Sequence, residues 1–166
     1  MKHIVRISSL GLALAAAMTA GSANAATATT TFTVNATVLK ACVVSALPLA
    51  FGNYDPTSGS GVNGSTTLSV LCTNGTSFTT GLNAGTASGA TVSTRRMSNG
   101  ANTLSYGLYQ DAARTTNWGN TAGTDTPAAQ TAGVGATSLT VYGAIPASQN
   151  VPIGVYSDTI TVTVTY

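Results

Sequence analysis

The sequence is poor in the side chains that most catalytic and metal sites need. It has six Lys and Arg, four Asp and Glu and one His among 166 residues; the acidic residues are all Asp. Zinc sites, Ser-His-Asp triads and Cys-His dyads require imidazole or clustered thiols. A glycosidase-like pair of carboxylates is disfavoured because each Asp lies among turn residues, where Asp bonds its own backbone. We therefore expect no enzyme activity, no metal and no cofactor.

The first 25 residues have the pattern of a secretory signal peptide. Lys2 and Arg6 precede an apolar run from Leu10 to Met18, and a small-x-small cleavage site ends at Ala25. We expect cleavage after Ala25, which also removes His3, the single histidine. Because no later apolar run reaches the roughly 20 residues of a spanning helix, we expect an exported protein without membrane insertion.

Positive charge is scarce in the predicted mature chain. Four basic and four acidic side chains remain after residue 25, so the formal net charge is zero. Nucleic acid binding needs clustered Lys and Arg that neutralise phosphates, and we therefore expect no nucleic acid partner. The adjacent Arg95 and Arg96 are interpreted as solvated turn residues.

The two cysteines, Cys42 and Cys72, both lie in strand-like runs, "KACVV" and "LSVLCT". Export implies an oxidising compartment, so a single disulfide that joins two early strands is the expected state. In the chain-entropy model, a disulfide that closes a loop of this length stabilises the folded state by on the order of 3–4 kcal/mol.

Strand and turn residues dominate the rest of the chain. Runs with apolar residues at every second position recur between clusters of Gly, Asn, Ser and Pro, which is typical of a β-sandwich or barrel. The stretch "GSGVNG" (Gly59–Gly64) satisfies the G-x-G-x-x-G pattern, but a strand-like run follows it instead of a helix. We interpret it as a flexible hairpin loop, and Trp118 and Tyr109 as core residues in preference to a sugar-binding surface.

Two alternating runs lie near the ends of the predicted mature chain. "TFTVNATV" places Phe32, Val34, Ala36 and Val38 on one face, and "ITVTVTY" does the same with Ile160, Val162, Val164 and Tyr166. The second run reads as a half-buried antiparallel strand with no following partner. The first run is able to add to it as a strand of a neighbouring copy, which would produce head-to-tail filaments. Periodicity alone leaves two alternatives open: an ordinary first strand, and a strand that fills its own groove.

Three longer stretches resemble a known family. The run "LSYGLYQDAARTTNWG" (104–119), the run "TVYGAIPASQNVPIGVYSDTITVTVTY" (140–166) and "LPLAFGNYDP" (47–56) are similar to the spore coat protein U domain family. That family includes the pilins of archaic (Csu-type) chaperone–usher pili. The resemblance covers essentially the whole predicted mature chain, although Ala144 stands where many relatives carry a basic residue after "YG".

The resemblance implies an incomplete immunoglobulin-like β-sandwich that is completed by donor-strand exchange. It divides the chain into a signal peptide (1–25), a donor-strand extension (26–39) and a β-sandwich domain (40–166). The first alternating run would supply the donor side chains, and the second would form one wall of the acceptor groove. A periplasmic chaperone would fill the groove first and hold Tyr166, and an outer-membrane usher would exchange it for the next subunit.

The function expected from this resemblance is structural. The chain would be a shaft or adaptor subunit of a pilus on the cell surface, assembled from identical or sister pilins and serving attachment and biofilm formation. The alternative is a secreted or coat-associated domain that fills its own groove and binds carbohydrate.

Overall fold

The computed structural model describes residues 25–166, so the predicted signal peptide lies outside the described residues except for Ala25. The described residues contain eight strands and no α-helix, and none of their elements is a helix able to cross a membrane. In chain order the strands are β1 (Cys42–Ala46), β2 (Val62–Cys72), β3 (Ser77–Leu82), β4 (Arg95–Asn99), β5 (Asn102–Tyr109), β6 (Gln130–Thr131), β7 (Thr137–Ile145) and β8 (Val162–Thr165).

The strands form two antiparallel sheets. One has the order β1-β2-β7-β5-β4, and the other has the order β6-β3-β8. Alternate residues of both sheets point into one apolar core, as the period-2 pattern predicts. The main core cluster comprises Leu68, Leu82, Leu104, Tyr106, Leu108, Trp118, Val141 and Ile145. Trp118 is fully buried and donates its Nε1–H to the Thr80 carbonyl at 2.8 Å, which confirms its assignment to the core.

A disulfide joins the first two strands at one end of the sandwich. Cys42 and Cys72 are directly opposite each other in the β1–β2 ladder and are bonded, as the sequence predicts. Cys72 lies in a second, smaller buried cluster with Val70 and Phe78. The bond therefore fixes an edge strand, β1, to a strand of the interior.

The interpretation of Arg95 and Arg96 as solvated turn residues is wrong, because both lie in β4 and Arg96 is half-buried. Arg95 is the first residue of β4, and its exposed area is 0%. The guanidinium donates four hydrogen bonds of 2.6–2.9 Å to the backbone carbonyls of Leu82, Asn83, Val92 and Trp118. Burial lowers the pKa of Arg95, but a guanidinium remains charged at physiological pH. It acts as an internal clamp on the loops around β3 because its planar fork reaches several carbonyls at once.

Candidate strand-acceptor groove

Two strand edges lie side by side without a described partner between them. β1 is the outer strand of the larger sheet and pairs only with β2; β8 is the outer strand of the smaller sheet and pairs only with β3. β1 and β8 are in contact across the gap between the sheets. Each therefore presents one row of backbone N–H and C=O groups that a further strand is able to pair with.

A cavity of about 410 Å³ opens between these edges. Its lining is mainly apolar and comes from the end of β1, the segment after it, the core strands and the segment before β8. The lining residues include Ala46, Leu47, Leu49, Phe51, Leu68, Leu82, Tyr106, Leu108, Val141, Tyr156, Ile160 and Val162. The floor of the groove thus consists of members of the main core cluster.

The segment 47–51 forms one wall of the groove because two glycines leave room for it. A Cβ atom on Gly143 would lie 2.8 Å from Phe51, and one on Gly64 would lie 3.2 Å from Leu49. The start of the segment is tied to β2, where Thr66 Oγ1 donates to the Leu47 carbonyl at 2.6 Å. Phe51 then packs edge-to-face on Tyr106 with 6.0 Å between ring centroids. A side chain at Gly143 would overlap Phe51 and Leu49, and one at Gly64 would press on the same two residues.

A polar corner closes the groove where the chain approaches β8. Asp158 accepts hydrogen bonds from Tyr106 Oη at 2.7 Å, from Thr86 N at 2.8 Å and from Thr86 Oγ1 at 2.9 Å. Burial, reinforced by the hydrogen bond to Asp158, raises the pKa of Tyr106 above its usual value, so the phenol remains a neutral donor. These contacts hold the segment before β8 against β5 and the loop after β3.

Of the four residues predicted for the acceptor wall, two line the cavity. Ile160 and Val162 are half-buried and line the cavity, and Val164 packs on the cluster that contains the disulfide. Tyr166 is 54% exposed and does not line the cavity. Ile160 precedes β8, which is shorter than the alternating pattern suggests.

The residues predicted to form the donor strand lie in an exposed part of the chain. No residue from 25 to 41 belongs to a strand. The large side chains of the alternating face, Phe32, Val34 and Val38, are all at least 80% exposed, and Ala36 between them is exposed too. The predicted strand at 31–38 is therefore not formed in the structure, because a strand requires hydrogen-bonding partners that this segment does not have here.

Comparison with known proteins identifies the family. The Spore Coat Protein U domain matches residues 28–163. The chain is also 42% identical over 160 residues to "Protein U" of Myxococcus xanthus, a match that covers 87% of this chain and 88% of that protein. The chain belongs to the spore coat protein U domain family. This confirms the resemblance inferred from the three sequence stretches.

Solved structures of pilus proteins share the fold of this spore coat protein U domain. One is a chain of the CsuC–CsuE chaperone–tip adhesion subunit pre-assembly complex from archaic chaperone-usher Csu pili of Acinetobacter baumannii, with a TM-score of 0.55, 23% identity and 78% of this chain covered. This chain spans 40% of the length of that one. The P pilus rod subunit PapA matches with a TM-score of 0.54 and 15% identity, over 75% of this chain and 98% of PapA. The fold is thus an all-β, immunoglobulin-like sandwich that lacks a strand, as predicted.

Sequence reasoning from single residues missed the wall of the groove at 47–51 in this spore coat protein U domain. The available signal was the apolar run "LPLAF", where Pro48 lacks an N–H group and so marks the end of ladder pairing after β1.

The interpretation of "GSGVNG" as a hairpin loop is wrong in part, because β2 already begins at Val62. The turn role of Asp is confirmed at Asp55 and Asp111, whose carboxylates accept backbone N–H groups of the following residues. Hydrogen bonds from the Thr57 and Thr115 hydroxyls, together with these backbone N–H groups, lower the pKa of Asp55 and Asp111 respectively.

Proposed function

We propose that this protein is a shaft or adaptor subunit of a chaperone–usher pilus and that it polymerises by donor-strand exchange. The observation that supports this most strongly is the open edge of β8 beside an apolar cavity of about 410 Å³. The donor is the segment 26–39 of a second copy, whose alternating apolar face is exposed in the single chain. Insertion of this segment would therefore remove both its own apolar face and the apolar lining of the groove from water.

The donor and acceptor runs match in length and in pattern. Phe32–Val38 and Ile160–Tyr166 each contain seven residues with apolar side chains at alternate positions. β8 pairs antiparallel with β3 on its other edge, and the donor is placed antiparallel to β8 as well, which makes it parallel to β1. In an antiparallel pair, residues directly opposite each other share a face. One register therefore places every apolar donor residue opposite an apolar acceptor residue: Phe32 with Tyr166, Val34 with Val164, Ala36 with Val162 and Val38 with Ile160.

The energies favour this association. Burial of Phe32, Val34 and Val38 contributes roughly 1.5–3 kcal/mol each before ordering costs. The main-chain hydrogen bonds along β8 and β1 add about 1 kcal/mol net each. An open hydrophobic groove is also a hazard before assembly, because exposed strand edges promote aggregation. A periplasmic chaperone that covers the groove would prevent this aggregation. An outer-membrane usher would then exchange the chaperone for the donor segment of the next subunit.

The remaining parts of the proposal are supported by the family and by the neighbours of the fold. The Csu structure is described as a chaperone–tip adhesion subunit pre-assembly complex, which supports a chaperone as a partner of this chain. Identical or sister pilins would be the other partners. Export after cleavage at Ala25, display on the cell surface, and a structural role in attachment and biofilm formation follow from this assignment.

A disulfide between adjacent copies tests the proposal directly. In the register above Asn35 lies opposite Thr163, and both side chains point away from the groove. We expect the Asn35→Cys, Thr163→Cys protein, expressed in the native host, to give a ladder of cross-linked multimers that collapses on reduction. The matched control is Asn35→Cys with Thr159→Cys, since Thr159 is exposed but lies about 13 Å further along the chain. Equal yields from the two pairs, or no ladder from the first, would contradict the proposal.

The relationship to Protein U favours a second candidate, a coat-associated protein in which the segment 26–39 fills the groove of its own chain. The same cross-link separates the two functions. A self-filled groove would give an intramolecular disulfide, so the protein would remain a monomer on a gel and would show the mass of the oxidised form. A ladder would exclude this candidate.

A further inference from the structure

The sandwich exposes an apolar patch at the start of β1. The patch consists of Leu39, Val43 and Leu71, which are all exposed. Val43 and Leu71 are directly opposite each other in the β1–β2 ladder, so their side chains lie together on the outer face of the sheet. The backbone of Leu39 is held beside them, because its carbonyl accepts a hydrogen bond from Thr73 Oγ1 at 3.0 Å. These three residues are called the β1 patch below.

A second exposed apolar surface lies in the loop Val151–Val155, directly before residues 156–160, which line the groove. Ile153 and Val155 are almost fully exposed. The loop is not free, since Tyr156 Oη donates to the Pro152 carbonyl at 2.9 Å. It forms the rim of a second cavity of about 730 Å³. That cavity shares Leu49, Phe51, Met97 and Tyr156 with the groove, so the loop borders the same end of the groove as Ile160.

The β1 patch and this loop lie at opposite ends of the groove. Val164 and Cys42 both pack on the buried cluster that contains Cys72, next to the β1 patch. Ala46, at the other end of β1, lines the cavity together with Ile160 and Val162. β1 therefore runs in the opposite direction to β8. A donor strand antiparallel to β8 leaves the groove with Val38 beside Ile160, close to the loop.

We infer that consecutive subunits make a second contact, in which the β1 patch of the donating copy packs on the loop Val151–Val155 of the accepting copy. This inference rests on the proposed function. Only Leu39, Lys40 and Ala41 connect Val38 to Cys42, so β1 of the donating copy starts within about 14 Å of the donor's last inserted residue. That short connection brings the β1 patch of one copy to the end of the groove where the loop of the next copy lies.

The partner for these two surfaces is a second copy of the chain for two reasons. Both surfaces are apolar, and clustered exposed apolar side chains of this kind mark interaction sites in soluble proteins. They are also continuous with the proposed strand insertion, one through the connection 39–41 and the other through the lining shared by the two cavities. Their contact would limit the rotation of one subunit relative to the next, which the short connection alone does not do.

Cross-linking of Leu39 to Ile153 tests the second contact. We expect the Leu39→Cys, Ile153→Cys protein to form reducible multimers in the native host. The control is Leu39→Cys with Val134→Cys. Val134 is as exposed as Ile153, at 97% and 102%, but it lies next to Ala132 of the disulfide cluster, at the other end of the sandwich. A ladder through Val134, or none through Ile153, would overturn the inference.

The Asn35–Thr163 pair tells this failure apart from a failure of the proposed function. If Asn35→Cys with Thr163→Cys yields a ladder and Leu39→Cys with Ile153→Cys does not, strand insertion stands and the second contact is refuted. If neither pair yields a ladder, the proposed function fails and the second contact fails with it.

Discussion

A charge placed on one face of the donor segment separates strand insertion from every role that depends only on the exposed surface of this segment. Val34→Asp introduces a carboxylate on the apolar face, and Asn35→Asp introduces the same group at the next residue, on the opposite face. Both positions are exposed and lie outside any strand. The folded subunit should therefore have the same thermal stability in both variants.

The expected effect on assembly follows from the burial of Val34. This side chain is 80% exposed in the single chain, and its burial in the groove is worth roughly 2 kcal/mol. A carboxylate in the same place loses that contribution and adds a buried charge without a partner, for a further cost of at least about 2–3 kcal/mol. The total of about 4–5 kcal/mol corresponds to a loss of about 10³-fold in the association constant.

The assay is the ladder of SDS-resistant multimers from unboiled surface extracts, with the melting temperature of the purified subunit as a control for folding. We expect Val34→Asp to abolish the ladder and Asn35→Asp to preserve it. Equal ladders from both variants would show that the even-numbered face is not buried. Loss of both ladders with unchanged subunit stability would show that the segment acts through its charge or its sequence, not through one buried face.

Three further predictions concern the body of the sandwich. Reduction of the disulfide, or Cys42→Ser with Cys72→Ser, should lower the free energy of unfolding by about 3–4 kcal/mol, and equal melting temperatures with and without reductant would refute this. Arg95→Met should lower the free energy of unfolding by about 3–5 kcal/mol, because it leaves four carbonyls without their charged donor. Arg95→Lys should restore only part of this free energy, since an ammonium does not reach all four carbonyls; full restoration in urea unfolding would contradict the role of Arg95 as a clamp. Because the pKa of Tyr106 is higher in the folded state than in the unfolded state, its stabilising effect should be complete below about pH 10 and decline as the pH rises above that value; Tyr106→Phe should reduce the loss of stability between pH 9 and 11, and an unchanged slope would count against the buried phenol.

The sequence predicts most of the sandwich because period-2 runs need only local information. The runs that became β2, β3, β5 and β7 alternate clearly, and all four are strands in the structure. β4 was not predicted, since "RRMSN" begins with two charges and has a single large apolar residue. Its first residue is buried because carbonyls from the end of β3, from Val92 and from Trp118 meet at that point, and no local pattern records this. Arg95 was misjudged for the same reason.

The groove was harder to predict than the strands. The wall next to β8 could be inferred from alternation, because Ile160 and Val162 lie two residues apart and both line the cavity. Its opposite wall depends on Gly64 and Gly143, which lie far apart in the sequence and make room for the same segment only after β2 and β7 have paired. Tyr166 follows the same alternation but is half exposed, since the strand ladder has already ended at Thr165.

The donor segment shows where periodicity reaches its limit. The alternation of residues 31–38 predicts which side chains would share a buried face. It does not predict which strand would pair with the backbone of this segment. In the structure this segment has no strand partner, while the edge of β8 has none on its outer side. The local pattern of residues 31–38 is that of a strand, but the structure does not form this strand. Local pattern and fold usually agree, and here they do not. Such a disagreement is expected where the missing partner belongs to another molecule, and it is at this place that Val34→Asp and Asn35→Asp should differ.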